Sequence, residues 1–225
     1  MPTDPVLQLC KRLGYRFSNP ELVETALMHR SLGGASNERM EFLGDSVIAL
    51  AVAEWLFEHK PELEEGELTR MRASLVNQDS LAAMAVELDL GDLLKTGKGE
   101  RRRAGSVSRA MLEDTFEAVI GAVFLDGGYG RACEVVQGLF ASRFKAMPDA
   151  ESLKDPKTRL QEWLQSRGHA LPDYRLIGAL GPHHERQFET ECRVARLDLS
   201  CKGRGSSKRA SEQRAAAAIL ARLGR

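Results

Sequence analysis

Residues 37–47 read Asn-Glu-Arg-Met-Glu-Phe-Leu-Gly-Asp-Ser-Val, and their acidic side chains, Glu38, Glu41 and Asp45, are separated by three and then four residues. At about 100° per residue, an α-helix places these positions within a stripe of roughly 60°. Apolar residues border the stripe on both sides: Met40, Phe42, Leu43, Val47, Ile48 and Leu50. The spacing therefore predicts a helix with one acidic face between apolar surfaces.

A second acidic pair, Asp114 and Glu117, lies in the apolar stretch 114–128 (DTFEAVIGAVFLDGG). Carboxylates on apolar helices are costly to ionise, because like charges repel and burial removes their solvation. A hard divalent cation such as Mg²⁺ takes oxygen ligands and would neutralise them, and it can also activate a water molecule for hydrolysis. The alternative is that these acids are ordinary solvated residues on helix surfaces.

Apolar residues recur at helical spacing from Pro5 to about Phe144, which predicts a mainly α-helical N-terminal half. Glycine and proline predict loops between the helices at Gly33-Gly34, Lys60-Pro61, Gly97 to Gly105 and Asp126-Gly127-Gly128. Residues 148–155 are poor in apolar side chains, begin with Pro148 and are followed by Pro156, as is typical of a linker.

The last 70 residues have a different periodicity. Pro156 to Arg167 is predicted to be helical and Tyr174 to Leu180 to be a strand. Alternation of apolar and polar residues predicts strands from Phe188 to Val194 and from Leu197 to Cys201, and residues 207–223 are alanine-rich and helical. The predicted order is α-β-β-β-α.

The net charge of zero is a cancellation of two unlike halves. Residues 1–153 contain 17 Lys and Arg against 24 Asp and Glu, a balance of −7, and residues 154–225 contain 15 against 8, a balance of +7. A compact basic segment suits a polyanion, whereas an acidic partner domain would repel a polyanion unless its carboxylates bound cations. This distribution favours nucleic acid together with metal.

Other classes of site are disfavoured. The four cysteines are scattered without CxxC spacing and the five histidines form no HExxH pattern, so neither zinc nor a disulfide framework is expected. No apolar run approaches membrane-spanning length, and the N-terminus lacks the order of charges and apolar residues found in a signal peptide. We therefore expect a cytoplasmic protein without membrane contact.

These motifs together resemble the ribonuclease III family. The stretch 37–47 resembles the signature of its catalytic helix, and the supporting matches are His29-Arg30-Ser31, Glu65, Gly97-Lys98-Gly99-Glu100 and residues 114–128. Residues 156–225 are similar to the double-stranded RNA-binding domain of bacterial members, through residues 158–162, Gly181-Pro182-His183-His184 and residues 205–209. The resemblance implies an all-α catalytic domain over residues 1–147, a linker over 148–155 and an α+β RNA-binding domain over 156–225.

The resemblance also implies a reaction and its residues. The expected activity is Mg²⁺-dependent hydrolysis of phosphodiester bonds in double-stranded RNA, with Mn²⁺ as a possible substitute, leaving 5′-phosphate and 3′-hydroxyl ends. Processing of ribosomal RNA precursors and other structured RNAs, including messenger and transfer RNAs, is the family expectation. The implied metal ligands are Glu41, Asp45, Asp114 and Glu117; Asp45 and Glu117, with Glu38 and Glu65 as auxiliary acids, are the implied catalytic residues.

The family pattern further implies a homodimer, with Phe42 as a candidate dimer contact; helix geometry alone fits equally well a Phe42 that fills its own core. Double-stranded RNA is recognised mainly by shape, through 2′-hydroxyls and phosphates. The candidate RNA-binding residues are Thr158, Gln161, Glu162, His184, Lys208 and Arg209. Lys208 and Arg209 open a helix, where free N–H groups already favour phosphate.

Three residues test these expectations. Glu113 stands where the family usually has a small residue, and its position predicts that it lies in the apolar arc and crowds the helix. Ser211 replaces a frequent alanine and should be tolerated. His29 is expected to be a hydrogen-bonded core residue with no catalytic role.

The competing functions are a double-stranded RNA-binding protein that has lost catalysis and a purely structural helical scaffold.

Overall fold

A computed structural model describes residues 4–97, 107–182 and 186–224. The chain forms two compact units, residues 1–150 and residues 151–225. Each unit has its own set of buried apolar side chains.

The first unit is built from α-helices, as the sequence predicted. In chain order these are α1 (Pro5–Leu13), α2 (Pro20–Ala26), α3 (Glu38–His59), α4 (Glu65–Leu75), α5 (Gln78–Glu87), α6 (Leu90–Leu93) and α7 (Arg109–Lys145), with a 3₁₀ turn at Arg30–Leu32. Side chains cap several of the helix starts: the Asn19 side chain accepts a hydrogen bond from the amide of Glu21, and that of Asn77 from the amide of Ser80.

Helices α3 and α7 form the centre of this unit. Apolar side chains of both helices are fully buried, among them Ile48, Val52, Phe116 and Ile120. The two backbones approach each other closely at Gly44 and Gly121. A Cβ atom on Gly44 would overlap the carbonyl oxygen of Glu117, and one on Gly121 would overlap that of Met40. The absence of side chains at these two positions therefore allows the acidic parts of the two helices to meet.

The break predicted at Asp126-Gly127-Gly128 is present but is confined to one residue. The span of α7 from Arg109 to Lys145 consists of two helical segments that meet at Gly128, which has the non-helical angles φ 74° and ψ −179°. Asp126 stabilises this region from the side: its carboxylate accepts hydrogen bonds from the Tyr15 hydroxyl at 2.8 Å and from the backbone amides of Ser18 and Asn19. Glycine accommodates the positive φ at the point where the two helical segments meet.

The second unit has the predicted α-β-β-β-α order. Helix α8 (Pro156–Gln165) precedes strands β1 (Asp173–Leu180), β2 (Gln187–Val194) and β3 (Leu199–Gly205), and helix α9 (Lys208–Arg222) ends the unit. The strands form an antiparallel sheet in the order β1-β2-β3. Its core is formed by Leu160, Leu164, Cys192, Val194, Cys201, Ala215, Ala216, Ile219 and Leu220.

Two details differ from or refine the sequence analysis of this unit. Leu197 was predicted to begin the third strand, but it lies in a 3₁₀ turn, Ala195–Leu197, and Asp198 then adopts a left-handed conformation with φ 50°. Ser211 is fully buried, and its hydroxyl hydrogen-bonds the Thr190 hydroxyl at 2.7 Å and the Lys208 carbonyl at 2.8 Å. These partners explain how a polar residue fits in the core.

Over residues 4–97, 107–182 and 186–224, no helix combines the length and the apolar character needed to cross a bilayer.

Candidate active site

The crossing of α3 and α7 brings the predicted acids of both helices together. Glu117 on α7 is buried, with 8% of its surface exposed. Glu41 and Asp114 are half-buried, and Asp45 is exposed. The cluster therefore extends from the protein interior to solvent, and we call Glu41, Asp45, Asp114 and Glu117 the acid cluster.

The pKa values of this cluster reflect burial and mutual repulsion. Burial, followed by the charges of Asp45, Glu113, Glu41 and Asp114, raises the pKa of Glu117 from 4.5 to about 8. The pKa of Glu41 is raised by burial and then by the charge of Asp114. The pKa of Asp114 is raised by burial and then by the charge of Glu113. These carboxylates therefore repel one another through a region that is partly shielded from water.

The acid cluster fits a hard divalent cation in its donor type and charge. All four side chains offer carboxylate oxygens, and within the described part of the chain none forms an ion pair with lysine or arginine. The described residues contain no group of three or more His, Cys, Asp or Glu side chains already converged as metal ligands. The mutual effects of these carboxylates on their pKa values show that they are near neighbours.

Glu113 does not lie in the apolar core, contrary to the prediction. It is half-buried, and its carboxylate accepts a hydrogen bond of 2.7 Å from the side-chain amide of Gln78 at the start of α5. Its charge raises the pKa of Asp114, Glu117 and Glu41. Helical periodicity assigned it to the wrong neighbours, because α5 presents a polar side chain to this part of α7. Glu113 is therefore a fifth carboxylate beside the acid cluster, which the sequence analysis missed.

The two auxiliary acids lie in different surroundings. Glu38 is exposed at the start of α3, where it accepts hydrogen bonds from Ser36 at 3.1 Å and Arg30 at 3.4 Å. Its charge contributes to the raised pKa of Glu41. Glu65 is exposed at the start of α4 and accepts a hydrogen bond of 2.9 Å from Thr69. Of these two acids, Glu38 lies within electrostatic reach of the acid cluster.

Two segments that resemble the ribonuclease III family, one containing His29 and Ser31 and the other beginning at Gly97, contact each other near Asp114. The Nδ1 atom of His29, a buried residue, lies 2.8 Å from the Ser31 hydroxyl, which in turn accepts a hydrogen bond of 2.9 Å from the amide of Gly97. This agrees with the expectation that His29 is a hydrogen-bonded core residue. Its charge also opposes the upward shift in the pKa of Asp114, so the network lies within electrostatic reach of the acid cluster. The matching residues Lys98, Gly99 and Glu100 lie outside the described residues.

Phe42 does not fill the core of its own subunit, because 78% of its surface is exposed. On the same helix, Leu50 is 55% exposed and Phe57 is 75% exposed. Their spacing of eight and then seven residues places them on one face of α3. Helix α3 therefore exposes an apolar stripe of Phe42, Leu50 and Phe57.

The candidate RNA-binding residues of the second unit lie on two helices. Thr158, Gln161 and Glu162 are exposed on α8, opposite the buried Leu160 and Leu164. Lys208 and Arg209 are the exposed first residues of α9, whose start is capped by the Ser207 hydroxyl. His184 lies outside the described residues.

The raised pKa of Glu117 predicts how the stability of the metal-free protein depends on pH. Between about pH 4.5 and 8 the unfolded chain releases this proton while the folded chain retains it, so folding becomes less favourable as pH rises through that window. In chelator, the free energy of unfolding measured by urea denaturation should fall over this window, and Glu117→Gln should remove that part of the fall. Glu24→Gln, at an exposed site on α2, is the control. Parallel curves for wild type and Glu117→Gln would contradict the prediction.

Comparison with known proteins agrees with both units. The sequence profile described as "Ribonuclease-III-like" matches residues 19–143, and the profile described as "Double-stranded RNA binding motif" matches residues 156–223. Two curated relatives named "Ribonuclease 3" are similar over nearly their whole length. The protein of Nitrosococcus oceani is 45% identical, covering 98% of this chain and 96% of its own, and that of Thiobacillus denitrificans is 48% identical, covering 97% and 96%.

A solved structure agrees with the helical unit. The nuclease domain of ribonuclease III from Campylobacter jejuni has a TM-score of 0.60 and is 37% identical, covering 62% of this chain and 99% of that domain. Similarity over nearly the full chain, together with both domain matches in the same order, leads to one conclusion. This chain belongs to the ribonuclease III family and is an endoribonuclease of double-stranded RNA.

Proposed function

We propose that the acid cluster binds Mg²⁺ and that the protein hydrolyses each strand of a duplex RNA to leave 5′-phosphate and 3′-hydroxyl ends. Glu41, Asp45, Asp114 and Glu117 would hold the ion, and Mn²⁺ would substitute for it. The observation that carries the proposal is the burial of Glu117 among carboxylates, with no ion pair to lysine or arginine in residues 4–97, 107–182 and 186–224. Such a site is unfavourable for ionised acids unless a cation compensates their charge.

The protein residues have distinct tasks in this proposal. The ion would supply electrostatic stabilisation of charge on the phosphate and lower the pKa of a bound water. With the ion bound, Glu117 would hold negative charge at the buried end of the acid cluster, and Asp45 would hold it at the solvent end, where a phosphate can approach. Glu38 and Glu65 act as auxiliary acids, and Glu38 is additionally oriented by Arg30 and Ser36.

We propose a catalytic domain over residues 1–147, a linker over 148–155 and an RNA-binding domain over 156–225, working as a homodimer. The division of the chain near residue 150 supports these boundaries. The exposed apolar stripe with Phe42 at one end supports self-association, because burying such side chains is favourable. The nuclease domain from Campylobacter jejuni has a structurally flexible region that is involved in dimer formation.

RNA recognition is proposed for Thr158, Gln161, Glu162, His184, Lys208 and Arg209. The polar residues of α8 would contact 2′-hydroxyls in a minor groove, and the two basic residues of α9 would contact phosphates. The balance of +7 in residues 154–225 supports this assignment. Processing of precursors of ribosomal RNA and of other structured RNAs in the cytoplasm is the physiological role we propose.

Metal dependence is tested by incubating the purified protein with a long duplex RNA, a single-stranded RNA and a duplex DNA, each with Mg²⁺ and with chelator. We expect cleavage of the duplex RNA alone, and only with Mg²⁺ or Mn²⁺. End-labelling of the products should show 5′-phosphates. Undiminished cleavage in chelator would refute the metal proposal, and duplex RNA binding without cleavage under all conditions would favour the non-catalytic alternative.

The RNA-binding assignment predicts a specific salt dependence. Replacing Lys208 and Arg209 with alanine should weaken duplex RNA binding about 10-fold and reduce the slope of log Kd against log salt by about one for each residue removed. The matched control replaces Arg175 and Lys202, which are exposed on β1 and β3 and remove the same charge. Fluorescence anisotropy with a labelled duplex in chelator measures both quantities. Equal effects of the two double variants would show that general charge, rather than the start of α9, governs binding.

A further inference from the structure

The two helices assigned to RNA recognition are joined by a polar contact centred on Asp155. One carboxylate oxygen accepts a hydrogen bond of 2.8 Å from the amide of Lys157 and caps the start of α8. The other accepts a hydrogen bond of 2.5 Å from the side-chain amide of Gln213 on α9 and lies 3.7 Å from the guanidinium of Arg209. Each oxygen therefore contacts a different helix.

A second polar contact runs parallel to the first. The Lys157 ammonium forms an ion pair of 2.6 Å with Glu212, the residue before Gln213, and lies 4.6 Å from the centre of the Tyr174 ring. Both contacts therefore connect the first turn of α8 with the second turn of α9. The apolar core that holds the same helices together includes Leu160, Leu164, Ile219 and Leu220.

The polar contacts lie at the helix ends that contain the candidate RNA-binding residues. Thr158 and Gln161 follow the cap on α8, and Lys208 and Arg209 precede Gln213 on α9. A duplex presents its minor-groove hydroxyls and its phosphates at fixed separations, so two helices that contact both must keep a fixed offset. Apolar packing alone allows small sliding movements between helices, whereas a directional hydrogen bond opposes them.

We propose that Asp155 is a positioning residue for RNA recognition, which fixes the offset between the minor-groove side chains of α8 and the phosphate-binding start of α9 through its hydrogen bond with Gln213. This inference rests on the proposed function, because it takes the assignment of both helices to RNA as its premise. If Asp155 positions the two helices, its removal should weaken RNA binding, which is the opposite of a general electrostatic effect. Removal of a carboxylate from a polyanion-binding surface should by itself strengthen binding.

The test measures the affinity of the full-length protein for a labelled duplex RNA in chelator, with the Asp155→Ser and Gln213→Ala variants. Serine is as good a helix cap as aspartate but has a single side-chain oxygen, so Asp155→Ser keeps the start of α8 and leaves Gln213 without its acceptor. Each variant should bind about 5-fold more weakly, as expected for the loss of one partly buried hydrogen bond. In cleavage assays KM should rise and kcat should stay unchanged.

Exchanging the donor and the acceptor between positions 155 and 213 should restore the hydrogen bond and with it the RNA affinity. In the double variant Asp155→Asn with Gln213→Glu, the asparagine amide can donate to the new glutamate, and the net charge equals that of the wild type. Affinity should return to within about 2-fold of the wild type if the hydrogen bond is what matters. Asp198→Asn removes one carboxylate from the same unit at a left-handed position that asparagine tolerates, so it controls for charge. Thermal denaturation followed by circular dichroism verifies that every variant is folded at the assay temperature.

The outcomes separate this inference from the proposed function. Weaker binding by both single variants with recovery in the double variant supports the positioning role. Unchanged or tighter binding by folded Asp155→Ser overturns it, as does a double variant that binds no better than the single variants. If alanine at Lys208 and Arg209 also leaves binding unchanged, both the assignment of the RNA-binding helices and the positioning role of Asp155 are wrong. If only that double alanine variant weakens binding, the assignment stands and the role of Asp155 falls.

Discussion

Replacing Glu117 with glutamine should abolish cleavage of duplex RNA in Mg²⁺ while leaving duplex binding within about 2-fold of the wild type. Glu117 is the most buried acid of the acid cluster, and the charges of the other three cluster acids and of Glu113 all act on it. Glutamine preserves the size of the side chain but offers no negative charge. Metal ions supply several kcal/mol of transition-state stabilisation, so impaired ion binding should cost at least about 10³-fold in the cleavage rate.

Single-turnover cleavage with protein in excess measures this rate, and anisotropy in chelator measures binding. Glu24→Gln, which removes an exposed carboxylate from α2, should cleave normally. The Lys208 and Arg209 double variant should show the opposite pattern, with weaker binding but a nearly normal rate at saturating RNA. A Glu117→Gln protein that cleaves at the wild-type rate would show that this carboxylate has no part in metal binding or catalysis.

Replacing Gly44 with alanine should destabilise the first unit by about 3 kcal/mol or more, a large part of the 5–15 kcal/mol that typically stabilises a protein. The added methyl group would overlap the backbone carbonyl of Glu117 and lie 3.0 Å from the amide of Gly121. Neither is the end of a flexible side chain, so the clash can be relieved only by separating α3 from α7. That movement would also draw Asp45 away from Glu117.

Gly138→Ala is the matched control, because Gly138 lies within α7 and an added Cβ would have no neighbour within 4 Å. It should stabilise the helix by up to about 1 kcal/mol, since alanine has the higher helix propensity. Urea denaturation and the Tm measure both variants. If Gly44→Ala unfolds at the same urea concentration as Gly138→Ala, the close crossing of the two helices is not required for stability.

The periodicity of apolar residues was sufficient to predict most secondary-structure elements of this protein. It predicted the helices of the first unit and the strands of the second, because each buries apolar side chains at the spacing of its own backbone. At residues 126–128 it predicted the break but not its length, since Gly128 is the residue that leaves the helical conformation. It failed at Glu113, since periodicity describes one helix and cannot show that Gln78 of α5 lies opposite.

The amino-acid sequence by itself determined which acids share a helix face, because 3.6 residues per turn fix the direction of Glu38, Glu41 and Asp45 on α3 and of Asp114 and Glu117 on α7. It also determined the separation of acidic and basic charge between the two halves. Only the tertiary structure decided that Glu117 is buried while Asp45 is exposed, that Glu113 lies beside them, and that Asp155 connects α8 with α9. These properties depend on how segments 30 to 80 residues apart in the sequence meet in space, and local backbone geometry does not specify that meeting.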